Sequence, residues 1–277
     1  MNNVITASIV LFQSDILEIK KNIVTILNTD NNIKLYLIDN SVVDNFCFFT
    51  KIDSRIEYIH NKINVGFGIG HNIALKKSIL LGARYHFIIN PDIYFKNDVI
   101  SSMIDYMEIN KDVGMLMPKI LNEDESVQFL PKLLPSPFDI VMRKLKWPSF
   151  YYKKFIERYE MRMIPNNSVY FTPVLSGCFS LLRIESIKEV GLYDENFFMY
   201  FEDWDLSRRM VKKYKTIYYP MVSVYHGYES GASKKIILFF TFLKSFFIYF
   251  NKWGWFVDLD RNELNKYVLS QFITKKQ

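Results

Sequence analysis

Apolar positions in the first hundred residues alternate between short unbroken runs and helical stripes. Val4–Phe12, Ile33–Ile38, Ile56–Ile59 and Tyr85–Ile89 are β-branched or aromatic runs of strand length. Between them, Asp15–Leu27 and Gly70–Leu81 carry apolar residues at helical spacing, and Asp98–Ile109 is a third such segment. Ser14 or Asp15 stands where the first helix needs a cap. Val113–Met117 reads as a further strand. Strands alternating with helices predict βαβ units and an α/β fold with a mostly parallel sheet.

The middle of the chain is less regular. Leu130–Pro137 (LPKLLPSP) holds three prolines in eight residues and reads as a loop. Residues 141–162 are helical in pattern but broken near Trp147-Pro148. A compact region resumes at Val169–Arg183, and Asp205–Lys215 reads as a helix after an acidic turn. Residues 236–257 are strongly apolar and long enough, at about 1.5 Å per residue, to span a bilayer. Thr241, Lys244, Ser245, Asn251 and Lys252 nevertheless share one helical stripe, which suits a helix lying in a membrane interface better than one crossing it. A helix packed on the protein's own core is the alternative.

The chain has 277 residues and a formal charge of +6. Hydrophobic residues at 49% and charged residues at 23% exclude a disordered or fibrous chain. Cys47 and Cys178, the two cysteines, form neither a disulfide scaffold nor a CxxC zinc spacing. The charge is uneven. Residues 141–162 and 231–277 are each net +5, which leaves −4 for the rest. An acidic body with two basic, aromatic-rich segments suits an anionic membrane surface. No nucleic-acid motif accompanies them, so nucleic acid is not an expected partner. Met1-Asn2-Asn3 lacks the basic region of a targeting peptide, and a cytoplasmic location is the expectation.

Two carboxylates stand just after apolar strands: Asp39 in IDNS and Asp92 in Asn90-Pro91-Asp92. Ligands of open α/β sheets bind beyond the carboxyl ends of the strands, so both should face one cleft, although each sequence is also a good turn. Asn64-Val65-Gly66-Phe67-Gly68-Ile69-Gly70-His71-Asn72 has three alternating glycines that would let backbone approach a ligand before a helix opens. It is neither a dinucleotide fingerprint nor a P-loop. Glu202, Asp203 and Asp205 put three carboxylates within four residues among aromatics, costly unless one binds something or raises its pKa. Asp203 so placed suits a general base, and capping of the following helix by Asp203 or Asp205 competes with that role. His226 follows an apolar segment and is either structural or, with Asp92, a ligand for a divalent ion.

Taken in order, IDNS at 38–41, NVGFGIGHN at 64–72, NPD at 90–92, SGCFSLLR at 176–183, EVGLYDENFFMYFEDWDLSRR at 189–209 and the Tyr-His at 225–226 resemble the family 2 glycosyltransferases. The likeness covers roughly residues 4–230, and within the family it is greatest to the rhamnosyltransferase-type branch. The resemblance implies a GT-A fold, Rossmann-like and flanked by helices, over 1–230. Its nucleotide-binding half would be 1–117 and its acceptor half 118–230, with a C-terminal amphipathic helical extension at 231–277. It implies nucleotide contacts from Asp39, Asn40, Asn64, Gly66, Phe67, Gly70, Asn72, Asn90 and Asp92. Asp203 matches the general base and Glu202 its support; Gly177, Cys178, Trp204 and Asp205 fall on the acceptor side. A divalent metal, Mg²⁺ or Mn²⁺, would sit on Asp92 and His226. Asn90 replaces the first acidic residue of the usual DXD metal motif, a departure that bears on metal dependence.

The same resemblance implies inverting transfer of a sugar from a nucleotide-diphosphate donor, with dTDP-rhamnose favoured. The acceptor would be a polyprenyl-diphosphate-linked glycan of O-antigen, capsule or other surface-polysaccharide synthesis, met at the cytoplasmic face of the inner membrane. UDP-linked hexose, N-acetylhexosamine or galactofuranose donors fit the same frame. A catalytically silent nucleotide-sugar-binding scaffold is the alternative of a different class, and a homodimer is left open. A polymerising synthase would need a membrane channel, for which one marginal apolar segment is too little.

Overall fold

The first apolar run forms β1 (Ile5–Leu11), and α1 (Ile16–Leu27) follows at once because Asp15 accepts the N–H groups of Leu17 and Glu18 at 2.7 and 3.1 Å. Ile19, Ile23 and Ile26 then form the buried stripe of that helix. The structure is a computed structural model that describes residues 4–29, 32–227 and 235–272. β2 (Ile33–Asp39), β3 (Ile56–His60) and β4 (Tyr85–Ile89) join β1 in a parallel block in the order β3-β2-β1-β4. The four expected strands and the first and third expected helices thus appear, with ends moved by a residue at most, and Asp98 caps α3 (Val99–Ile109) through the Ser101 N–H at 3.0 Å.

Beyond β4 the sheet is mixed. β8 (Phe179–Arg183) runs antiparallel to both β4 and β6 (Val113–Leu121), and β9 (Lys215–His226) runs parallel to β6. The short β5 (Ile93–Tyr94) and β7 (Tyr170–Phe171) lie antiparallel on β9. The mostly parallel expectation therefore holds for the long strands: β6 and β9 run in the same direction as β1–β4, and β8 alone among them is reversed. β6 continues through Pro118, which sits at a register shift where a missing N–H is tolerated.

Three expected helices differ from their observed forms. α2 spans Phe67–Leu80 and opens three residues earlier than the pattern suggested. The 141–162 segment is indeed broken at Trp147-Pro148, into α4 (Pro137–Leu145) and α5 (Ser149–Tyr159). α4 begins with Pro137 at its first position and a capping box between Ser136 and Asp139. α7 spans Glu202–Met210, and residue 215 already belongs to β9.

The apolar C-terminal segment is α8 (Lys235–Trp253), followed by α9 (Leu259–Ser270). The sequence stripe of α8 does not face solvent as a unit. Ser245 is buried and donates to Met199 O at 2.7 Å, and Lys252 turns to Asp194 and Asp205 at 2.6 and 2.8 Å. Tyr249 and Phe250 are buried with Phe197 and Phe201 in a small aromatic core between α8 and the segment leading into α7. The basic residues at 228–234 and 273–277, counted in the sequence reading of the C-terminal region, lie outside the described residues.

Candidate active site

The parallel block brings Asp39 and Asn90 to one edge, and antiparallel β8 brings its leading residues Gly177 and Cys178 to the same edge. The register aligns Leu11 with Asp39, Ile89 with Phe179 and Ile93 with His226. Hydrogen bonds tie the edge together: Asn90 N–H to Cys178 O at 2.8 Å, and Asn40 Nδ2 to Gly66 O at 3.1 Å.

Asp203 sits in the first turn of α7, where Oδ2 accepts the Gly177 N–H at 3.1 Å and Oδ1 accepts the Trp204 N–H at 2.9 Å. Phe201, not an acidic residue, occupies the cap position, so capping by Asp203 or Asp205 is not the arrangement adopted. Tyr200 and Phe201 are consecutive residues at φ +71° and +68°, a left-handed turn that L side chains resist. The aromatic core holds it: the Phe201 ring lies 5.3 Å from Phe242 and 5.4 Å from Tyr249. Backbone strain is thus concentrated immediately before the two carboxylates.

Burial pushes the Asp203 carboxyl above the ordinary aspartate range, against the pull of the Gly177 N–H and of Lys132. Glu202 is raised well above its ordinary value, first by burial and then by the charge of Asp203, and its Oε2 has no partner. The pair thus resists holding two charges at once.

At the other end of the edge, Asp92 Oδ2 and His226 Nε2 stand 3.4 Å apart. His226 Nδ1 is 3.1 Å from Gln128 Oε1, and the Gln128 amide is oriented by donating to Asn122 Oδ1 at 2.7 Å. A proton on Nδ1, assigned from this network, leaves Nε2 as an acceptor facing a carboxylate. Two acceptors facing each other, both part-exposed, fit a shared divalent cation with open positions for diphosphate oxygens. Among the described residues no group of three or more His, Cys, Asp or Glu side chains could hold a metal, so these two would be the protein's share. Cys178 lies between the halves: burial pushes its thiol up to about 12, and the charges of Asp92 and Asp203 both add to that.

Other sequence-derived residues prove to be engaged by the protein itself. Asp39 is fully buried, accepting the Ser41 N–H at 2.8 Å and the Tyr58 hydroxyl at 2.7 Å. Asn64 Oδ1 accepts the Gly66 N–H at 3.0 Å. Asn72 brackets the Tyr193 backbone, with Nδ2 donating to its O at 2.9 Å and Oδ1 accepting its N–H at 3.0 Å. Two of the glycines permit close packing. A Cβ on Gly66, at φ +88°, would collide with Phe198 O, and one on Gly70 would lie 2.8 Å from Val10 Cγ2. Phe67 packs on His71 at 4.4 Å and faces Gly177, so it joins the loop to the Asp203 turn. Trp204 is half-buried against Phe201 at 4.7 Å. Asp205 is not brought to the edge. Its fully buried carboxylate accepts from Trp253 Nε1 and Arg209 Nε, both at 2.9 Å, and anchors α8 and the 190–192 turn.

Lys132 escaped the sequence reading. Its buried ammonium donates to Leu130 O at 2.9 Å, and burial pushes its pKa down to about 8. A lone cation inside an apolar, proline-rich run was the available signal.

Residues 9–191, more than half of the chain, match the family described as glycosyl transferase family 2. The chain belongs to glycosyl transferase family 2. Rhamnosyltransferase WbbL of Escherichia coli is 28% identical over 162 residues, covering 56% of this family 2 chain and 57% of the relative. N-acetylglucosaminyl-diphospho-decaprenol L-rhamnosyltransferase of Mycobacterium tuberculosis is 30% identical over 143 residues, 50% of this chain and 45% of the relative. The matched stretch therefore spans about half the length of these curated relatives. Among solved structures, GalNAc-T7 with UDP, GalNAc and Mn²⁺ superposes at TM-score 0.61 and 13% identity over 82% of this chain and 44% of that one. The mannosyltransferase PcManGT of Pyrobaculum calidifontis, with GDP-Man and Mn²⁺, does so at 0.57 and 12% over 85% and 60%. These likenesses establish the GT-A fold.

Proposed function

We propose that the chain is an inverting glycosyltransferase. It would move a sugar, L-rhamnose from dTDP-rhamnose in the favoured reading, onto a hydroxyl of a lipid-linked glycan in surface-polysaccharide synthesis. The observation that carries this reading is the Asp203 carboxylate, held by two backbone N–H groups on a strained turn at the edge that also bears Asp92 and His226. The family membership supports glycosyl transfer, and the names of the two relatives support rhamnose and a polyprenyl-linked acceptor.

Asp203 accepts the acceptor hydroxyl's proton while that oxygen attacks the anomeric carbon from the face opposite the diphosphate. The bond to the leaving phosphate oxygen breaks in the same displacement, so the anomeric configuration inverts and no covalent enzyme intermediate forms. Burial raises the basicity of Asp203, Glu202 supports it as its buried neighbour, and the half-buried setting limits competition from water. Asp92 and His226 are the residues that would hold Mg²⁺ or Mn²⁺, which supplies charge neutralisation at the leaving diphosphate. Asn90, Asn64 and the 66–67 backbone line the donor side.

Transfer is tested with dTDP-rhamnose, UDP-glucose, UDP-N-acetylglucosamine and UDP-galactofuranose, each with a polyprenyl-diphosphate N-acetylglucosamine acceptor, by mass spectrometry of the lipid. Rhamnose addition lost in Asp203→Asn is the expected result. Addition of another sugar changes the donor assignment. Nucleotide binding without transfer from any donor would favour the silent scaffold.

A further inference from the structure

Helix α8 has two unlike faces. One, carrying Phe242, Ser245, Tyr249 and Phe250, seats on the segment before α7 and on Ile140 of α4. The other exposes Ile236, Phe240 and Phe247, at 74, 64 and 51%, on intervals of four and seven residues, one stripe of a helix. Phe138, Val141 and Leu145 form a matching exposed stripe on α4, and Trp147 and Phe150 continue it into α5. The two helices meet where Lys144 Nζ stands 4.5 Å from the Phe242 ring centroid. Large apolar side chains gathered in this way mark an interaction face, unlike scattered single ones.

Cations surround that face. Lys144, Lys146, Lys153, Lys154 and Arg158 are exposed, as is Lys244 on the outer side of α8, and none has an ion-pair partner among the described residues. Between 140 and 160, Glu157 is the single exposed carboxylate, since Glu160 is buried and held by Arg143 and Arg162.

We propose that the outer face of α4, α5 and α8 docks on an anionic lipid bilayer, with α8 lying in the interface. Aromatic side chains beside unpaired lysines match the layered chemistry of acyl chain and anionic headgroup. The same charge disfavours a second copy of this chain, whose cations would meet these. Geometry disfavours a span. Phe242 already packs on Tyr200 and Phe201, so within the described part of α8 only the apolar run Ile236–Thr241, six residues, precedes that contact. That is about 9 Å of helix at ~1.5 Å per residue, against a hydrocarbon core of about 30 Å. One consequence rests on the proposed transferase reading: Phe201 adjoins Glu202 and Asp203, so docking would hold the base beside the lipid surface that presents the acceptor.

The test is flotation of the purified full chain with vesicles of phosphatidylcholine alone and of phosphatidylcholine with phosphatidylglycerol. Binding to the anionic vesicles, weakened by salt, is expected. Phe240→Ser/Phe247→Ser should lower it, and Lys146→Ala, Lys153→Ala and Lys154→Ala should each lower it about fivefold, with unchanged melting temperatures. Equal binding to both vesicles, binding to neither, or undiminished binding of the variants overturns the proposal. So does a dimer in light scattering that Phe240→Ser dissociates. Nucleotide binding and transfer to a detergent-solubilised acceptor are measured on the same variants. Their retention in the variants beside lost flotation supports docking, whereas intact flotation of the parent chain with no transfer overturns the transferase reading and leaves docking standing.

Discussion

Asp203 is positioned by two single N–H groups, and its replacement is the sharpest residue-level test. Asp203→Asn keeps the size and one acceptor oxygen but cannot take a proton, so kcat should fall by about 10²–10⁴ while nucleotide affinity by calorimetry stays unchanged. Burial raises the folded-state pKa of both Glu202 and Asp203. The folded protein therefore holds protons that the unfolded chain releases, and their contribution to stability is lost as pH rises above the ordinary carboxylate range of about 4. Glu202→Gln, neutral throughout, should melt higher than the parent at pH 8, with the difference shrinking towards pH 4 in thermal scans. A difference that does not depend on pH would refute the assignment to burial. The carboxylate cluster was legible in the sequence because three charges among aromatics are conspicuous. Which one would act was not, since Asp205 and Asp203 differ only in the helical direction in which they project.

At the scale of elements, α7 is locked to the C-terminal helices by buried charge. Arg208 and Asp258 pair at 2.6 Å with about 3% exposure each, and Asp258 also caps α9 through the Arg261 N–H at 2.9 Å. Asp258→Ala strands a buried guanidinium and removes a cap, so it should cost about 3–5 kcal/mol in urea denaturation. The exposed pair Lys213–Glu189 at 3.3 Å gives the contrast, because Glu189→Ala should cost under about 1 kcal/mol. Helix starts were read well at Asp15 and Asp98, where a side chain caps the helix, because a cap is a local signal. They were misplaced at α2 and α7, whose preceding residues, Gly66 and Phe201, give no side-chain cap. There tertiary packing on Phe198 and Phe242 sets the start instead.

For the whole molecule, the Asp92–His226 site predicts that metal and nucleotide bind together. In thermal-shift assays dTDP or UDP at ~100 times its dissociation constant should add about 2.7 kcal/mol of stability, and should require Mn²⁺ or Mg²⁺. Adding EDTA, or replacing His226 by Ala, should remove the metal-dependent part. A full shift without metal would show that the missing first carboxylate at Asn90 has ended metal use. The sequence by itself determined the α/β class, the parallel block and the order of the site motifs, because strand and helix periods and short turn sequences are local properties. Only the tertiary structure decided that β8 enters antiparallel and carries Gly177 to Asp203, that Asn72 and Asp205 are bound up inside the protein, and that α8 turns Phe240 and Phe247 outward while Phe242 and Phe250 face the body. Those outcomes depend on which surfaces meet, and contacts between residues far apart in the chain leave no periodic mark in it.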